Sequence, residues 1–291
     1  MVEYADSVAL RKENVDTAIK AVALMEYKLR TLCTIDSSNS YTESYFRETN
    51  TDPTSPTTVA TTTNIKGIPR FSPFPAGRVA ETKVSALIEK YGLEQTLSME
   101  DELMNWIPMS ARAILRLGRG ISKSIDDAIV ALISASFGNT VAVTVGSEWN
   151  SATLQNRDPI KNILDGIQTL RVDNIDALNG LGYLVLNGDG YTDLISNSKV
   201  INNPTFKTAD VVANGVVGQI CGLNIMVTEA VAADTGYIVI KLEALTWKSA
   251  KGLTVEQITD PGIKTTIRAY ELGVAQLTAP NAVCKFTNLR A

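Results

Sequence analysis

Glu89-Lys90-Tyr91-Gly92-Leu93-Glu94-Gln95-Thr96-Leu97-Ser98 leads through Met99-Glu100-Asp101-Glu102-Leu103 and Trp106-Ile107-Pro108 into a long amphipathic run that ends at Phe137. An extended segment feeding one long helix is an architectural device, and nothing around it supplies the side chains that most chemistry needs. From Met109 to Phe137, apolar residues recur at Ile114, Leu117, Ile121, Ile125, Ala128 and Leu132, in steps of three and four. Arg112, Arg116, Arg119, Lys123 and Asp126 take the other side. At 1.5 Å per residue such a helix spans about 40 Å. Gly118 and Gly120 lie inside it and weaken it by about 1 kcal/mol each. They mark a place where a neighbour packs close or where the helix bends, as a hinge would. The basic face reads as a solvated or intersubunit face. Ser98 is a candidate cap with Asp101 three residues on, and Glu100-Asp101-Glu102 suits the positive end of a helix dipole.

Upstream of this stretch, Asp6 to Leu32 has helical spacing at Val8, Val15, Ala18, Ile19, Val22, Met25 and Leu29. Such a helix either packs on its own domain or docks on a neighbour, and spacing does not separate the two. Thr34 to Asn64 is rich in Ser, Thr, Asn and Pro, with Asp52-Pro53-Thr54-Ser55-Pro56 at its centre. It cannot bury enough apolar surface to fold alone. Tyr41, Tyr45 and Phe46 are candidate anchors, which favours an arm lying along another subunit. From Ile65 to Leu97 the pattern is extended but irregular, with Pro69, Pro73 and Pro75 near its start. Arg78 to Val84 alternates as a solvated strand does, and Leu93 to Leu97 is the expected return strand. A two-stranded ribbon of this kind is marginal in water and needs a partner surface.

Downstream, Thr140 to Val145 reads as a strand. Asp158 to Leu170 reads as a helix with Pro159 at its first position and a stripe at Ile160, Ile163, Leu164 and Ile167. Gly182 to Asn187 is a buried strand, followed by a turn and a short helix near Tyr191 to Ser196. Val216 to Thr228 and Gly236 to Trp247 are strands, so the middle third is an α/β unit. Ile263 to Ala275 is a long strand, Ala279-Pro280-Asn281 a turn, and Ala282 to Phe286 a closing strand.

Composition removes whole classes of function. The 291 residues contain no histidine, which eliminates imidazole catalysis, His-ligated metals and imidazole pH sensing together. Cys33, Cys221 and Cys284 are far apart and form no Cys-x-x-Cys pair, so they read as reduced, buried thiols. The net charge of −4 argues against nucleic-acid binding over the whole surface. No apolar run of about 18 residues predicts a membrane span. The first residues lack signal-peptide character, so synthesis in a cytosol-like compartment is expected. The only Asn-x-Thr, Asn203-Pro204-Thr205, is blocked as a glycosylation site by its proline. Asn187-Gly188-Asp189-Gly190 glances at a calcium loop, but alignment on Gly190 leaves Val185 and Ser196 at ligand positions. Gly180-Leu181-Gly182 lacks the third glycine of a dinucleotide fingerprint. Catalytic, metal and cofactor-binding residues are therefore expected to be absent, and the chain is not expected to be an enzyme.

Three segments together resemble the Hong Kong 97 family of major capsid proteins of tailed double-stranded DNA viruses. The first is Arg70-Phe71-Ser72-Pro73-Phe74-Pro75 with Lys90-Tyr91-Gly92-Leu93-Glu94 and Ser98-Met99-Glu100-Asp101, similar to the family's extended loop and its exit. The second is Ser110-Ala111-Arg112 through Leu132, similar to its spine helix. The third is Gly218-Gln219-Ile220-Cys221-Gly222-Leu223, then Arg268 to Ala275 with Pro280-Asn281-Ala282-Val283, similar to its late axial and closing peripheral strands. The order of the elements, from about Tyr41 to Asn288, carries the likeness.

The resemblance implies an α+β capsid fold. Residues 1–33 would form an N-terminal helix, 34–64 an arm, and 65–97 an extended two-stranded loop. Residues 98–154 would form a peripheral domain with the spine helix at 109–137, 155–247 an α/β axial domain, and 248–291 the closing peripheral strands. The implied function is a structural subunit that self-assembles as hexamers and pentamers into an icosahedral shell around double-stranded DNA. The alternative is an encapsulin-type nanocompartment loaded with enzyme cargo. Implied partners are other copies of the chain, a portal, scaffolding or decoration proteins, and packaged DNA without sequence-specific contacts, with no membrane. The implied location is the virion capsid, assembled in the host cytoplasm. Tyr45, Phe46, Arg70, Arg78, Lys83, Lys90, Glu100, Asp101, Arg112 and Arg116 are the candidate intersubunit contacts. Arg70, Arg78 or Lys83 would pair with Glu100 or Asp101 of a neighbour. Some family members bond a loop lysine to a neighbouring subunit. Lys83 and Lys90, with Asn281 as acceptor, are the corresponding residues, although lysine on a solvated ribbon is ordinary.

Overall fold

The computed structural model describes residues 12–48, 70–71, 81–100, 109–201 and 218–291. The centre of the arm, Arg78 and Asp101 lie outside the described residues. Five helices and twelve strands are described. Helix α1 is Lys12–Glu26, α2 Met109–Ala135, α3 Pro159–Val172, α4 Gly188–Ser196 and α5 Ser198–Ile201. A single 3₁₀ turn, Leu29–Leu32, follows α1, so the first helix stops earlier than its apolar spacing predicts.

A four-stranded sheet runs in the order β1 (Thr34–Ser37), β10 (Leu245–Asp260), β11 (Lys264–Leu277), β4 (Glu89–Ser98). The strand pair β1/β10 is parallel, and the other two are antiparallel. The hairpin of β10 and β11 was only half legible, because Lys248 to Pro261 has little alternation to mark it. Trp247 is the anchor of this sheet. Its ring lies on Gly273, where a Cβ would come within 2.5 Å of the ring.

The second sheet has six strands: β5 (Asn139–Ala142), β12 (Val283–Thr287), β9 (Gly236–Ile240), β6 (Gly182–Leu186), β8 (Leu223–Val227), β7 (Gln219–Ile220). Its centre, β6 and β9, is Val/Ile/Leu-rich and buried on both faces. Helix α3 covers it through Gly166, where a Cβ would meet Phe286 at 2.7 Å. Two of the expected strands divide. The described part of the expected Val216 to Thr228 strand is a hairpin, β7 and β8, turned by Cys221 and Gly222, both at positive φ. Gly236 to Trp247 breaks after Ile240, where Leu242 has φ +66° and the chain crosses from one sheet to the other. The closing strand β12 also differs from its expected grouping with the late peripheral strands. It pairs with β9 and β5, because Thr278 and Ala279 turn back to the Ala244 carbonyl and carry the chain across.

The third sheet is a ribbon of β2 (Thr42–Glu48) and β3 (Glu81–Leu87). Here the expected pairing is corrected. The partner of β3 is the start of the arm, and Leu93 to Leu97 belongs to β4, paired with β11. The alternation of Thr42-Glu43-Ser44-Tyr45-Phe46 was hidden among Ser and Thr, whose β-propensity depends on context.

The spine helix α2 buries Ala113, Leu117, Ile121, Ile125, Ile129 and Ile133. This row of strict fourth residues is a ridge for helix packing, so Ala128, Ile114 and Leu132 fall to its flanks. Helix α1 lies against it with Val15, Ile19 and Ala23 fully buried. The first helix therefore packs on its own chain. Gly118 and Gly120 are close-approach positions, which corrects the hinge reading. A Cβ at Gly118 would lie 2.8 Å from Val22 Cγ1, and one at Gly120 would lie 3.0 Å from Leu93 Cδ2. Ser122 Oγ donates to the Gly118 and Ala23 carbonyls at 2.9 and 3.3 Å, tying the two helices together. Gly118→Ala is expected to lower stability by about 1–2 kcal/mol, because overpacking outweighs the gain in helix propensity. A hinge glycine would give the opposite sign in urea unfolding.

Candidate assembly surfaces

The ribbon presents two unlike faces. Tyr45 turns inward, with its hydroxyl accepting from Arg47 Nη2 at 3.3 Å. Phe46 is 60% exposed and stands opposite Lys83, with Ser44, Ser85 and the exposed Leu87 on the same face. Of the adjacent rings Tyr45 and Phe46, Phe46 is the exposed one. Its face bears a ring, an aliphatic side chain and a cation, a composition that fits intersubunit contact.

The remaining candidates are scattered by the fold. Arg70 is exposed in a turn, and Glu100 is exposed just after β4. Lys90 lies on β4, not on the ribbon, with Nζ 4.5 Å from the Tyr270 ring centre. Arg112 and Arg116 are exposed on α2. Asn281 is at the far end of α2, packed against Gly138, and its carbonyl accepts from Asn139 Nδ2 at 2.9 Å. Cys33 and Cys284 are buried, which pushes each thiol up to about 12. Cys221 is only half-buried in its turn, so the expectation of three buried thiols fails there.

Sequence patterning missed two buried carboxylates that fasten the segment between α1 and β1. Glu271 on β11 is 0% exposed. Tyr27 Oη donates to its Oε2 at 2.9 Å. Arg30 Nη1 donates to the same oxygen at 2.9 Å and lies 2.7 Å from Oε1 without an aligned N–H. The Arg30 guanidinium also lies over the Tyr27 and Trp247 rings, 4.7 and 5.3 Å from their centres. Burial, then the Glu271 carboxylate, raises the Tyr27 phenol above its usual range. Asp126 on α2 is the second carboxylate. Its oxygens accept the backbone N–H groups of Lys28 and Leu29 at 3.3 and 3.2 Å, and it also bonds the Arg30 backbone. It thereby caps a 3₁₀ turn that has no side-chain cap of its own. Burial pushes Asp126 up to about 6 against these hydrogen bonds. Both residues fall on periodic elements as ordinary polar positions, so only their partners reveal them.

Among the described residues no group of His, Cys, Asp and Glu could hold a metal ion, and no helix is long and apolar enough to cross a membrane.

Two sheets, a free-standing ribbon and a long helix in this order define a shell-forming capsid subunit of the Hong Kong 97 fold. The chain matches the model for the phage capsid protein family over residues 81–286 and belongs to that family. Solved structures agree on the fold. The capsid of cyanophage P-SCSP1u is similar at TM-score 0.65 and 14% identity, covering 90% of this chain and 88% of that one. Mycobacterium phage Che8 gives 0.64 at 17% identity, covering 91% and 92%. A virus-like particle from Pyrococcus furiosus gives 0.62 at 12% identity, covering 94% and 98%. No curated protein matches the chain significantly in sequence.

Proposed function

We propose that the chain assembles as hexamers and pentamers into an icosahedral virion shell that encloses double-stranded DNA. The observation that carries this is the β2/β3 ribbon, which shares no strand with either larger sheet and offers Phe46, Leu87 and Lys83 to solvent. A two-stranded ribbon is marginal alone, and burial against a neighbour at about 25 cal/mol per Å² would stabilise it. Phe46 and Lys83 act as docking residues, with Arg70 and Arg78 pairing Glu100 and Asp101 of the adjacent copy. Lys90 is a further contact candidate. The six-stranded sheet, built from 155–247 with β5 and β12 added, would gather at capsomer centres, with α2 and the four-stranded sheet at the periphery. The role is mechanical and not enzymatic, with assembly in the host cytoplasm around a portal. The phage-capsid family match supports a genome-bearing shell over a cargo compartment.

Negative-stain microscopy of the purified full chain, alone and with its genomic neighbours, tests this. Closed polyhedral shells, or rings of five and six, are expected. Phe46→Ser together with Lys83→Glu is expected to abolish shells while leaving the circular dichroism spectrum unchanged. Normal shells from that variant would remove the ribbon from the interface, and a small monomer under every condition would overturn the shell itself.

A further inference from the structure

We propose that the exposed cationic row on the spine helix is a docking surface for the phosphate backbone of nucleic acid. This rests on the capsid reading and deepens it by naming the surface that meets the genome. Arg112, Arg116, Arg119 and Lys123 are all exposed. Steps of four, three and four place them within about 60° of arc on one face and over about 16 Å of helix axis. One strand of B-form DNA presents about five phosphates over that length. The opposite face of the helix is buried through Leu117, Ile121 and Ile125, so the row has one direction in which to point. Among the described residues, Arg112, Arg116 and Lys123 form no ion pair.

The row ends at a cavity of about 310 Å³ whose lining includes Arg119, Lys123 and Lys28 with Ser122 and Thr228. Its two carboxylates are engaged elsewhere. Asp126 accepts the Lys28 and Leu29 backbone N–H groups, and Glu229 accepts from Asn187 Nδ2 at 3.0 Å. The cavity thus sets three cations against two carboxylates at the end of the row, with Lys28 Nζ donating to the Val227 carbonyl at 2.8 Å.

An acidic stripe on a second copy is the competing occupant, and several exposed carboxylates of the described residues are already paired within the chain: Asp165, Asp260 and Glu94 with Lys161, Lys264 and Arg268. The longest acidic run in the sequence is Glu100-Asp101-Glu102, which reaches only about 10 Å when extended. The chain carries a net charge of −4, so its surface as a whole repels DNA. A local row can hold the backbone without sequence readout, since phosphate contacts position but do not specify.

The test measures binding of a short labelled duplex of arbitrary sequence to unassembled full-length subunits or capsomers, across a salt series. The unaltered chain is expected to bind with a linear fall of log K against log salt. Combined Arg112→Gln, Arg116→Gln and Lys123→Gln is expected to make that slope shallower by about 3, at about 0.9 per lost phosphate contact, and to weaken binding about tenfold or more at low salt. Arg116→Gln alone is expected to remove about one unit of slope. Lys161→Gln with Lys264→Gln is the control and should leave the slope unchanged. No salt-dependent binding by the unaltered chain, or an unchanged slope in the triple variant, overturns the proposal. Microscopy of the same samples separates the two readings. Shells from the unaltered chain with none from the triple variant assign the row to a contact between copies, which also overturns the proposal. A unaltered chain that never assembles fails the capsid reading instead.

Discussion

Glu271→Ala is expected to destabilise the folded chain by about 3–5 kcal/mol, the cost of leaving one member of a buried ion pair without its partner. The Arg30 side chain is 15% exposed and the Glu271 side chain 0%, so water cannot replace the lost carboxylate. Tyr27 would lose its acceptor at the same time. Glu271→Gln keeps an oxygen for the Tyr27 hydroxyl and removes only the charge, so a smaller loss of about 1.5–3 kcal/mol is expected. Urea unfolding of unassembled subunits measures both. Equal, small losses for the two variants would show that the guanidinium is held by its stacking on Tyr27 and Trp247 and not by the carboxylate. The pair joins the segment after α1 to the middle of β11, so its loss should also expose that segment to limited proteolysis before the core unfolds.

The second large effect concerns Asp126 and pH. Its folded value is raised to about 6 from an ordinary 3.8, with burial as the leading cause. The folded chain therefore holds a proton that the unfolded chain releases between those two values. The resulting stabilisation is fully present below about pH 4 and is lost as pH rises through about 6. Two units correspond to about 3 kcal/mol. Asp126→Asn removes the charge and keeps one oxygen, so it accepts only one of the two backbone N–H groups, a cost independent of pH. The part of the pH dependence that Asp126 supplies should vanish. The difference between the two proteins isolates Asp126 from the lowered carboxyls of Asp36 and Asp158, which follow the opposite sign and are common to both. A parallel pH dependence in the two would refute the assignment. Asp126→Ala leaves the backbone donors at the start of the 3₁₀ turn without an acceptor, and a loss of about 1–3 kcal/mol is expected at any pH.

How much of this was readable in advance follows from the range of each interaction. The spine helix was legible because 3.6-residue periodicity is local, and its apolar stripe runs unbroken from Ala113 to Ile133. Helix α3 was legible for the same reason, with Asp158 accepting from the Lys161 N–H as its cap. The absence of histidine and of a paired cysteine motif was legible directly, and it removes imidazole and Cys-x-x-Cys chemistry alone. Strand pairing was not legible. Thr42–Glu48 and Glu81–Leu87 are separated by a long polar stretch, and no local pattern says which distant strand each will meet. The division of Val216 to Thr228 into a hairpin depended on Cys221 taking a left-handed conformation, which only the following Gly222 hints at.

The sequence by itself determined that the chain is an architectural α+β protein with one long amphipathic helix and wet extended segments that call for partners. Those conclusions rest on composition and short-range periodicity. Only the tertiary structure decided that β12 crosses to the six-stranded sheet, and that Gly118 receives Val22 where a bend was one reading. It alone revealed Glu271 and Asp126 as the two carboxylates that hold the Tyr27–Arg30 segment. Each of these is a contact between residues about forty or more apart in the chain, where burial and a specific partner, not local propensity, set the energy.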